Sequence, residues 1–194
     1  MDKILRIKQS IDSIISLSDE ELVILNRSLE FKALKKNELL LTEGQICDFV
    51  AFVSQGVLIY SKTTDNGDEL TTDFAFEGDW VTYNLSRLKQ IPANINIRAI
   101  EDTNLFIIKQ AVLEDLYIKI PKLERLGRIL IEQSFIKIAQ HSIDLQVLSA
   151  KQRYENLLNE HPDILQKVQL YHIANYLGIA PKSLSRIRKE IFSK

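Results

Sequence analysis

Four glycines recur at nearly equal intervals in the first half of the chain, with spacings of 12, 11 and 11 residues. Short runs of residues that favour β-strands lie between them, for example residues 49–53 and 57–61. Short strands with a turn every eight to twelve residues are typical of an antiparallel barrel or roll. We therefore predict an antiparallel β-roll over residues 34–108, whose interior could hold a small ligand. The four glycines are Gly44, Gly56, Gly67 and Gly78.

Local signals locate several elements in and before this roll. The dipeptide Asn66-Gly67 favours a two-residue hairpin turn. Residues 94–100 and 104–109 supply further strands. Residues 4 to about 33 carry apolar side chains at helical spacing, and Ser18 with Glu21 forms a capping box. We expect these first helices to pack on the outside of the roll.

A long helix is predicted after the roll. A short helix over residues 111–119 stops before Pro121, and the long helix then covers residues 122–145. The apolar residues of the long helix form more than one narrow stripe, so that it needs two partners. The roll can cover one face, and the same helix of a second subunit can cover the other in a coiled-coil-like homodimer. Burial of both faces within a monomer is the alternative.

The C-terminal part of the chain reads as a group of shorter helices after a hinge at residues 146–149. Ser149 and Gln152 form a second capping box, for a helix that ends near Glu160. Farther on, Gly178 suits the left-handed residue that ends a helix, and Pro181 suits the first turn of the next one. These two helices would place Ile173, Leu177, Leu184 and Ile187 inward and Lys182, Ser185, Arg186 and Lys189 outward.

Charge is unevenly distributed, although the formal net charge is only −1. Residues 181–194 contain five Lys or Arg and one Asp or Glu, a local charge of +4, whereas residues 1–149 contain 17 Lys or Arg and 22 Asp or Glu, a charge of −5. Positive charge on a short exposed helix would meet the phosphates of double-stranded DNA. We therefore predict a helix-turn-helix, and the alternative is an ordinary helical hairpin with a solvated face.

Composition restricts the remaining classes of protein. Because Cys47 is the single cysteine, an internal disulfide and a cluster held by several cysteines of one chain are excluded. We expect Cys47 in the core, and a redox-sensing thiol is the alternative. There is no apolar run of membrane-spanning length and no signal-peptide pattern, so we expect a cytoplasmic protein without membrane contact.

The order and spacing of these features resemble those of the CRP/FNR family of bacterial transcription factors. The resemblance implies an α+β fold in three parts: a cyclic-nucleotide-binding-like β-roll sensor domain (a double-stranded β-helix) with flanking helices at 1–121, a dimerisation helix at 122–146, and a helix-turn-helix DNA-binding domain at 147–194. It implies double-stranded DNA, a second subunit and RNA polymerase as partners. The stretches that carry the resemblance are residues 41–44, 53–56, 76–79, 97–99 and 177–187.

The same resemblance implies which residues contact DNA. The base-reading positions fall on Pro181, Lys182 and Arg186, and only Arg186 keeps the chemical type found in the family. An arginine at this position can bind the O6 and N7 atoms of guanine. Lys182 places a hydrogen-bond donor where the best-known members carry glutamate, an acceptor. The preferred operator should therefore differ from those of these members. The predicted DNA-binding residues are Lys182, Ser183, Ser185, Arg186, Arg188 and Lys189.

The region of the effector site departs from the cyclic-nucleotide-binding members. Asp79 stands where they carry a glutamate, and Ala93 stands where they carry the arginine that pairs with the phosphate. Since burying an unpaired anion is costly, we expect no cyclic AMP binding, and any effector is unidentified. Trp80, Tyr83 and Arg98 could line a pocket for another ligand or could serve in packing. The candidate ligand-binding residues are Gly78, Asp79, Trp80, Ala93 and Asn94.

Two other functions are alternatives to a DNA-binding regulator. A cupin-like enzyme would need clustered histidines on its strands. All three histidines, His141, His161 and His172, lie after the strand region, so we expect no metal and no enzyme activity. The other alternative is a module that senses a ligand and acts through a protein partner instead of DNA, which the basic C-terminal helix disfavours.

Overall fold

The computed structural model of the protein describes residues 2–192, without the side chains of residues 2–4 and 192. The described residues do not include Met1, Ser193 and Lys194. These residues belong to the predicted first domain (1–121) and last domain (147–194). The chain forms two compact units. The first, here the roll unit, comprises residues up to 60 and 74–133, and the second, here the helical unit, comprises residues 61–73 and those from 134 onward. The domain limits at 121/122 and 146/147 stay a prediction.

In residues 2–192, eight strands form two four-stranded sheets, which confirms the predicted α+β class and β-roll. The first sheet has the order β1-β8-β3-β6 and the second the order β2-β7-β4-β5. All the pairings for which the register is known are antiparallel. The strands are β1 (Glu30–Leu34), β2 (Leu39–Leu41), β3 (Phe49–Gln55), β4 (Leu58–Thr63), β5 (Glu69–Ala75), β6 (Trp80–Val81), β7 (Asn96–Ala99) and β8 (Thr103–Lys109).

The central strand β3 separates two apolar layers of the roll unit. Ala51 and Val53 point into the roll, where they pack with residues such as Leu105 from β8. Phe52 points to the opposite face, where it joins a second cluster with α1 (Asp2–Asp12) and α4 (Gln110–Lys119). The side-chain alternation of a strand thus gives the roll an apolar interior and an outer helical cover.

The predicted capping boxes are present at both helix starts. The Ser18 hydroxyl accepts from the backbone N–H of Glu21 at the start of α2 (Asp19–Arg27). Ser149 and Gln152 make the same reciprocal pair at the start of α6 (Ala150–Glu160). Each box satisfies backbone donors that the first helical turn leaves without partners.

Two details of the sequence prediction are wrong. Helical structure was expected to about residue 33, but β1 begins at Glu30 and pairs with β8, where the rings of Phe31 and Phe106 meet edge to face at 5.9 Å. Long-range pairing here overrides the helical spacing. The loop at Asn66-Gly67 has three residues, because the Thr64 N–H bonds the Asp68 carbonyl and only Gly67 has a positive φ, of 85°. A three-residue loop needs only one left-handed residue.

A long helix, α5 (Lys122–Val147), follows α4, as predicted. Its first turns bury Leu123 and Leu126 in the roll unit. Farther along, its large apolar side chains are exposed in the single chain. The structure therefore does not show the alternative, in which a monomer buries both faces of this helix. These exposed residues are Ile131, Phe135, Ile136, Ile138, Ile143, Leu145 and Val147. Among residues 2–192, none of the helices has the length and apolar character to cross a membrane.

Four shorter helices follow α5 within the described residues, namely α6, α7 (Ile164–Lys167), α8 (Leu170–Tyr176) and α9 (Pro181–Phe192). A separate short helix, α3 (Asn84–Lys89), lies between β6 and β7 and was not predicted. Within the helical unit, the distal parts of β4 and β5 pack with the C-terminal helices. This hairpin, residues 61–73, is here called the β4–β5 hairpin.

Candidate functional site

The helices α8 and α9 form the predicted helix-turn-helix. Gly178 has a φ of 66°, and its N–H donates to the carbonyl of Asn175, while the N–H of Ile179 donates to the carbonyl of Ala174. These two bonds are those of a Schellman motif, which ends a helix and turns the chain sharply. Ala174 and Leu184 are fully buried between the two helices. The turn therefore fixes where α9 begins.

The outward face of α9 carries the predicted DNA-contacting side chains. Lys182, Ser183, Arg186 and Lys189 are exposed, and Leu184 between them faces the core. Ser185 is also exposed, but its hydroxyl donates to the carbonyl of Pro181 at 3.0 Å. The structure thus places five of the six predicted residues on one accessible helix surface. Their contacts with bases or phosphates stay a prediction.

Arg188, the sixth predicted residue, points differently. It is half-buried and lies beside Tyr154 of α6. Burial raises the pKa of the Tyr154 phenol, and the positive charge of Arg188 offsets part of that rise. The Nε atom of Arg188 is itself buried, so this part of the side chain lies at the contact between α9 and α6. A DNA contact by Arg188 stays a prediction.

Arg153 on α6 joins three elements of the helical unit. Its Nη1 donates to the carbonyl of Leu148, which follows α5, at 2.6 Å. Its Nη2 and Nε both donate to the carbonyl of Leu177, the last residue before the turn glycine, at 2.8 and 3.2 Å. No sequence signal marks Arg153, since its acceptors are backbone atoms and one of them lies 24 residues away.

A cavity of about 200 Å³ lies beside this junction, between α5, α6 and α8. On its wall the ring of His141 stacks on that of Tyr176, with centroids 4.4 Å apart. Burial lowers the pKa of His141, although the carboxylates of Asp73 and Asp144 oppose this effect. Burial raises the pKa of Tyr176, and the neighbouring carboxylates raise it further. Both rings are therefore neutral at physiological pH.

The β4–β5 hairpin holds the first helix of the helix-turn-helix. The carbonyl of Glu69 accepts from the Tyr171 hydroxyl at 2.8 Å and from the Asn175 amide at 2.9 Å. Thr71 bonds His172. These contacts place polar side chains of α8 on a strand more than 100 residues earlier in the chain. Sequence reasoning missed them, because nothing local distinguishes Thr71 from other strand threonines.

The predicted ligand-binding residues of the roll serve mainly in its own turns and core. The Asp79 carboxylate accepts from the N–H of Phe76 at 2.7 Å, and the N–H of Gly78 donates to the carbonyl of Val53. Ala93 is buried in the roll core. Asn94 is exposed, and its side-chain oxygen accepts from the Tyr83 hydroxyl at 2.5 Å.

Trp80 packs against α1 and β3, which is the packing role expected from the sequence as one of two possibilities. Its indole N–H donates to the hydroxyl of Ser10 on α1 at 3.1 Å, and its ring meets that of Phe52 edge to face at 5.2 Å. It thus lies in the outer apolar cluster, on the opposite side of the sheet from the roll interior. Arg98 donates to the side chain of Asn37 at 3.1 Å.

The roll residues do not fit a cyclic phosphate. The position at which the resemblance predicts the phosphate-pairing arginine is a buried alanine, Ala93. Arg87, on α3 in the same segment, is buried and directs its terminal nitrogens to Gln110 and Asn84, at 2.7 and 2.9 Å. Cys47 is also fully buried, as expected for a core residue. Within residues 2–192, three or more His, Cys, Asp or Glu side chains nowhere come together in a way that could hold a metal ion.

Comparison with known proteins agrees with this architecture. Residues 31–119 match the cyclic nucleotide-binding domain family. Sequence comparison with curated proteins gives no match. The structure of FixK2 from Bradyrhizobium japonicum is similar over 85% of this chain and 85% of that one, with a TM-score of 0.76 and 19% identity.

Two further solved structures show the same fold over nearly the whole chain. A regulator assigned to the CRP/FNR family from Eubacterium rectale covers 90% of this chain and 84% of its own, with a TM-score of 0.68 and 21% identity. The c-di-GMP responsive global regulator CLP of Xanthomonas campestris covers 91% and 92%, with a TM-score of 0.67 and 13% identity. The predicted CRP/FNR-type fold is thereby confirmed.

Proposed function

Starting from the cyclic nucleotide-binding domain at residues 31–119 and the CRP/FNR-type fold of the chain, we propose that this protein is a dimeric, sequence-specific DNA-binding transcriptional regulator. It acts by binding and not by catalysis. Its partners are double-stranded DNA, a second copy of the chain and RNA polymerase. Its place of action is the cytoplasm.

The observation that carries the proposal is the outward face of α9. Lys182, Arg186 and Lys189 are exposed on a helix that follows a Schellman turn, while Leu184 is buried beneath them. A helix of this kind enters the major groove with its N-terminal residues at the base edges. Arg186 would donate two hydrogen bonds to the O6 and N7 atoms of a guanine, and the lysines would neutralise phosphates.

The exposed apolar residues of α5 support a homodimer. Ile131, Phe135, Ile138 and Leu145 follow one another at spacings of four, three and seven residues, which places them on one stripe of the helix. Phe135 is 69% exposed in the single chain. A second α5 packed against this stripe would remove it from water and give the twofold symmetry that a palindromic operator matches.

Control by an effector would act through the roll, and cyclic AMP is not that effector. A ligand can shift DNA binding only by binding two arrangements of the protein with different affinity. The alanine at position 93 leaves a cyclic phosphate without its counter-charge. The proposed regulator therefore binds DNA either without a ligand or with one of different chemistry.

A salt titration of binding to a random-sequence duplex tests the proposal. A dimer that contacts six to ten phosphates should lose affinity by about 10³–10⁵-fold between 50 and 200 mM salt. Replacing Lys182, Arg186 and Lys189 together by Gln should flatten this dependence. The matched control replaces Lys36, Lys62 and Lys89, which are exposed elsewhere, and should leave the slope unchanged.

The titration also separates the competing function. A module that acts only through a protein partner would bind the duplex weakly, and the two triple variants would then behave alike. That result would contradict the proposed function.

A further inference from the structure

We propose that Arg153 is a positioning residue, which sets the orientation of the helix-turn-helix relative to the end of α5. This inference rests on the proposed DNA-binding function and names a residue that acts without touching DNA. Its role is to hold the two recognition helices of a dimer at the spacing that a two-part operator requires.

The hydrogen bonds of Arg153 reach both parts that must be kept in register. One terminal nitrogen binds the Leu148 carbonyl at the end of the long helix, and the other binds the Leu177 carbonyl at the turn of the helix-turn-helix. Nε also donates to the Leu177 carbonyl, so each of the three guanidinium nitrogens donates to a backbone carbonyl. A planar guanidinium with a fixed donor geometry restricts the angle between its two acceptors, which a flexible ammonium cannot do.

These carbonyls are groups that need a partner. Helix ends leave carbonyl oxygens without intrahelical donors, and a cation near a helix C-terminus is stabilised by the helix dipole. Leu148 follows α5, and Leu177 is the C-cap residue of α8. A single side chain therefore satisfies the C-terminal ends of two helices at once.

Two further contacts at the same junction join α5 to the helix-turn-helix. A Cβ atom added to Gly178 would meet the Leu145 side chain at 3.4 Å, so the turn lies against the last turns of α5. The His141–Tyr176 stack provides a second contact between α5 and α8. Arg153 lines the same cavity as His141 and Tyr176, and its helix starts at the Ser149 capping box. The cluster thus joins the proposed dimer helix to the proposed DNA-binding helices.

Fixed geometry has a measurable consequence for a dimer on DNA. A second binding event within one complex adds affinity only when the geometry allows both contacts together. Loosening the junction should therefore weaken binding to two correctly spaced half-sites while leaving a single half-site nearly unaffected. A side chain needed only for folding would weaken both duplexes to the same extent.

The test uses the full-length protein and three duplexes. The first is the palindromic operator that the wild-type protein selects from a random duplex library. The second has one half-site scrambled, and the third has one base pair inserted at the centre. For Arg153→Gln, the ratio of full-site to half-site affinity should fall about tenfold or more, because that ratio measures simultaneous contact. The penalty for the inserted base pair should also shrink, since a looser junction tolerates a wrong spacing.

Two further variants keep the result interpretable. Lys151→Gln removes the same charge from an exposed position of α6 and should keep the wild-type ratio and spacing penalty. Arg153→Lys keeps the charge but loses the planar donor geometry of the guanidinium. Its ratio of full-site to half-site affinity should be intermediate, even if Arg153→Gln folds poorly. Equal losses on all three duplexes, or a wild-type ratio in Arg153→Lys and Arg153→Gln, would overturn the positioning role. If the wild-type protein itself shows no preference for any duplex, the proposed function fails instead.

Discussion

Thr71 and His172 share a buried hydrogen bond, with 2.7 Å between the threonine hydroxyl and the imidazole Nδ1. Thr71 is 2% exposed and His172 is 7% exposed, so both residues are largely shielded from water. The bond joins β5 to the first helix of the helix-turn-helix, across 101 residues of sequence. The helix-turn-helix is therefore held by the β4–β5 hairpin as well as by its own core.

Thr71→Val tests the stability of this connection. Valine keeps the shape of threonine but leaves Nδ1 of a buried imidazole without that partner, so unfolding free energy should fall by about 1–3 kcal/mol. Urea denaturation monitored by circular dichroism measures the change. Thr63→Val, at an exposed position of the same hairpin, should stay within about 0.5 kcal/mol of wild type. Equal effects of the two substitutions would show that the buried bond contributes nothing.

His141 should make stability depend on pH. Burial holds its pKa below the ordinary value of 6.5 in the folded protein, while Asp73 and Asp144 oppose the shift and Lys137 and Arg153 add to it. The unfolded chain therefore takes up a proton first as the pH falls, so stability declines from near pH 6.5 and levels off below the folded pKa.

The measurement compares wild type with His141→Phe, which keeps an aromatic ring on Tyr176. The stability advantage of wild type over this variant should shrink between about pH 7.5 and pH 5, on either side of the ordinary imidazole pKa. An advantage that is constant or grows in acid would mean that burial does not depress the pKa of His141.

Gly56 and Gly67 form a matched pair of left-handed glycines, with φ of 96° and 85°. A Cβ at Gly56 would lie 2.8 Å from the Thr103 Cα atom and 2.9 Å from the Asp102 carbonyl, whereas a Cβ at Gly67 meets nothing within 4 Å. Gly67→Ala should cost about 1–2 kcal/mol for the left-handed backbone alone. Gly56→Ala should cost about 1–3 kcal/mol more, since backbone atoms must move. Similar unfolding free energies for both variants would contradict the close packing of Gly56 against Asp102 and Thr103.

Phe135→Glu should convert the proposed dimer into a monomer, because it places a charge in the middle of the apolar stripe of α5. Light scattering during size-exclusion chromatography measures the mass. Gln133→Glu adds the same carboxylate about 200° away around the helix, at an exposed position, and should remain dimeric. A monomeric wild type, or a Phe135→Glu protein that stays dimeric, would place the subunit contact elsewhere.

Local chemistry made much of this structure predictable. Ser18, Ser149, Gly178 and Pro181 each act on the nearest turn of backbone, and their elements occur as predicted. β1 was missed because its partner β8 lies 69 to 77 residues away, from Leu34↔Thr103 to Glu30↔Ile107. Arg153 and Thr71 were missed for the same reason, since their function in the fold depends on hydrogen-bond partners 24 and 101 residues away, which only the tertiary structure brings near.

The predicted sites divide in the same way. The outward face of α9 follows from helical periodicity, so the exposure of Lys182 and Arg186 could be predicted. The half-buried position of Arg188 could not, because it depends on Tyr154 of another helix. The position of Trp80 under α1 likewise required knowledge of which face of the sheet the first helix covers.

Selection of bound sequences from a random duplex library, with the purified wild-type protein and with Arg186→Ala, tests the central claim most directly. Wild type should enrich two similar half-sites in inverted orientation, about one helical turn apart. Arg186→Ala should lose preference for one base pair in each half-site, at a cost of about 1–3 kcal/mol, and keep the rest of the pattern. Enrichment of no sequence by wild type, or a uniform loss of affinity for all sequences in the variant, would contradict base reading by α9.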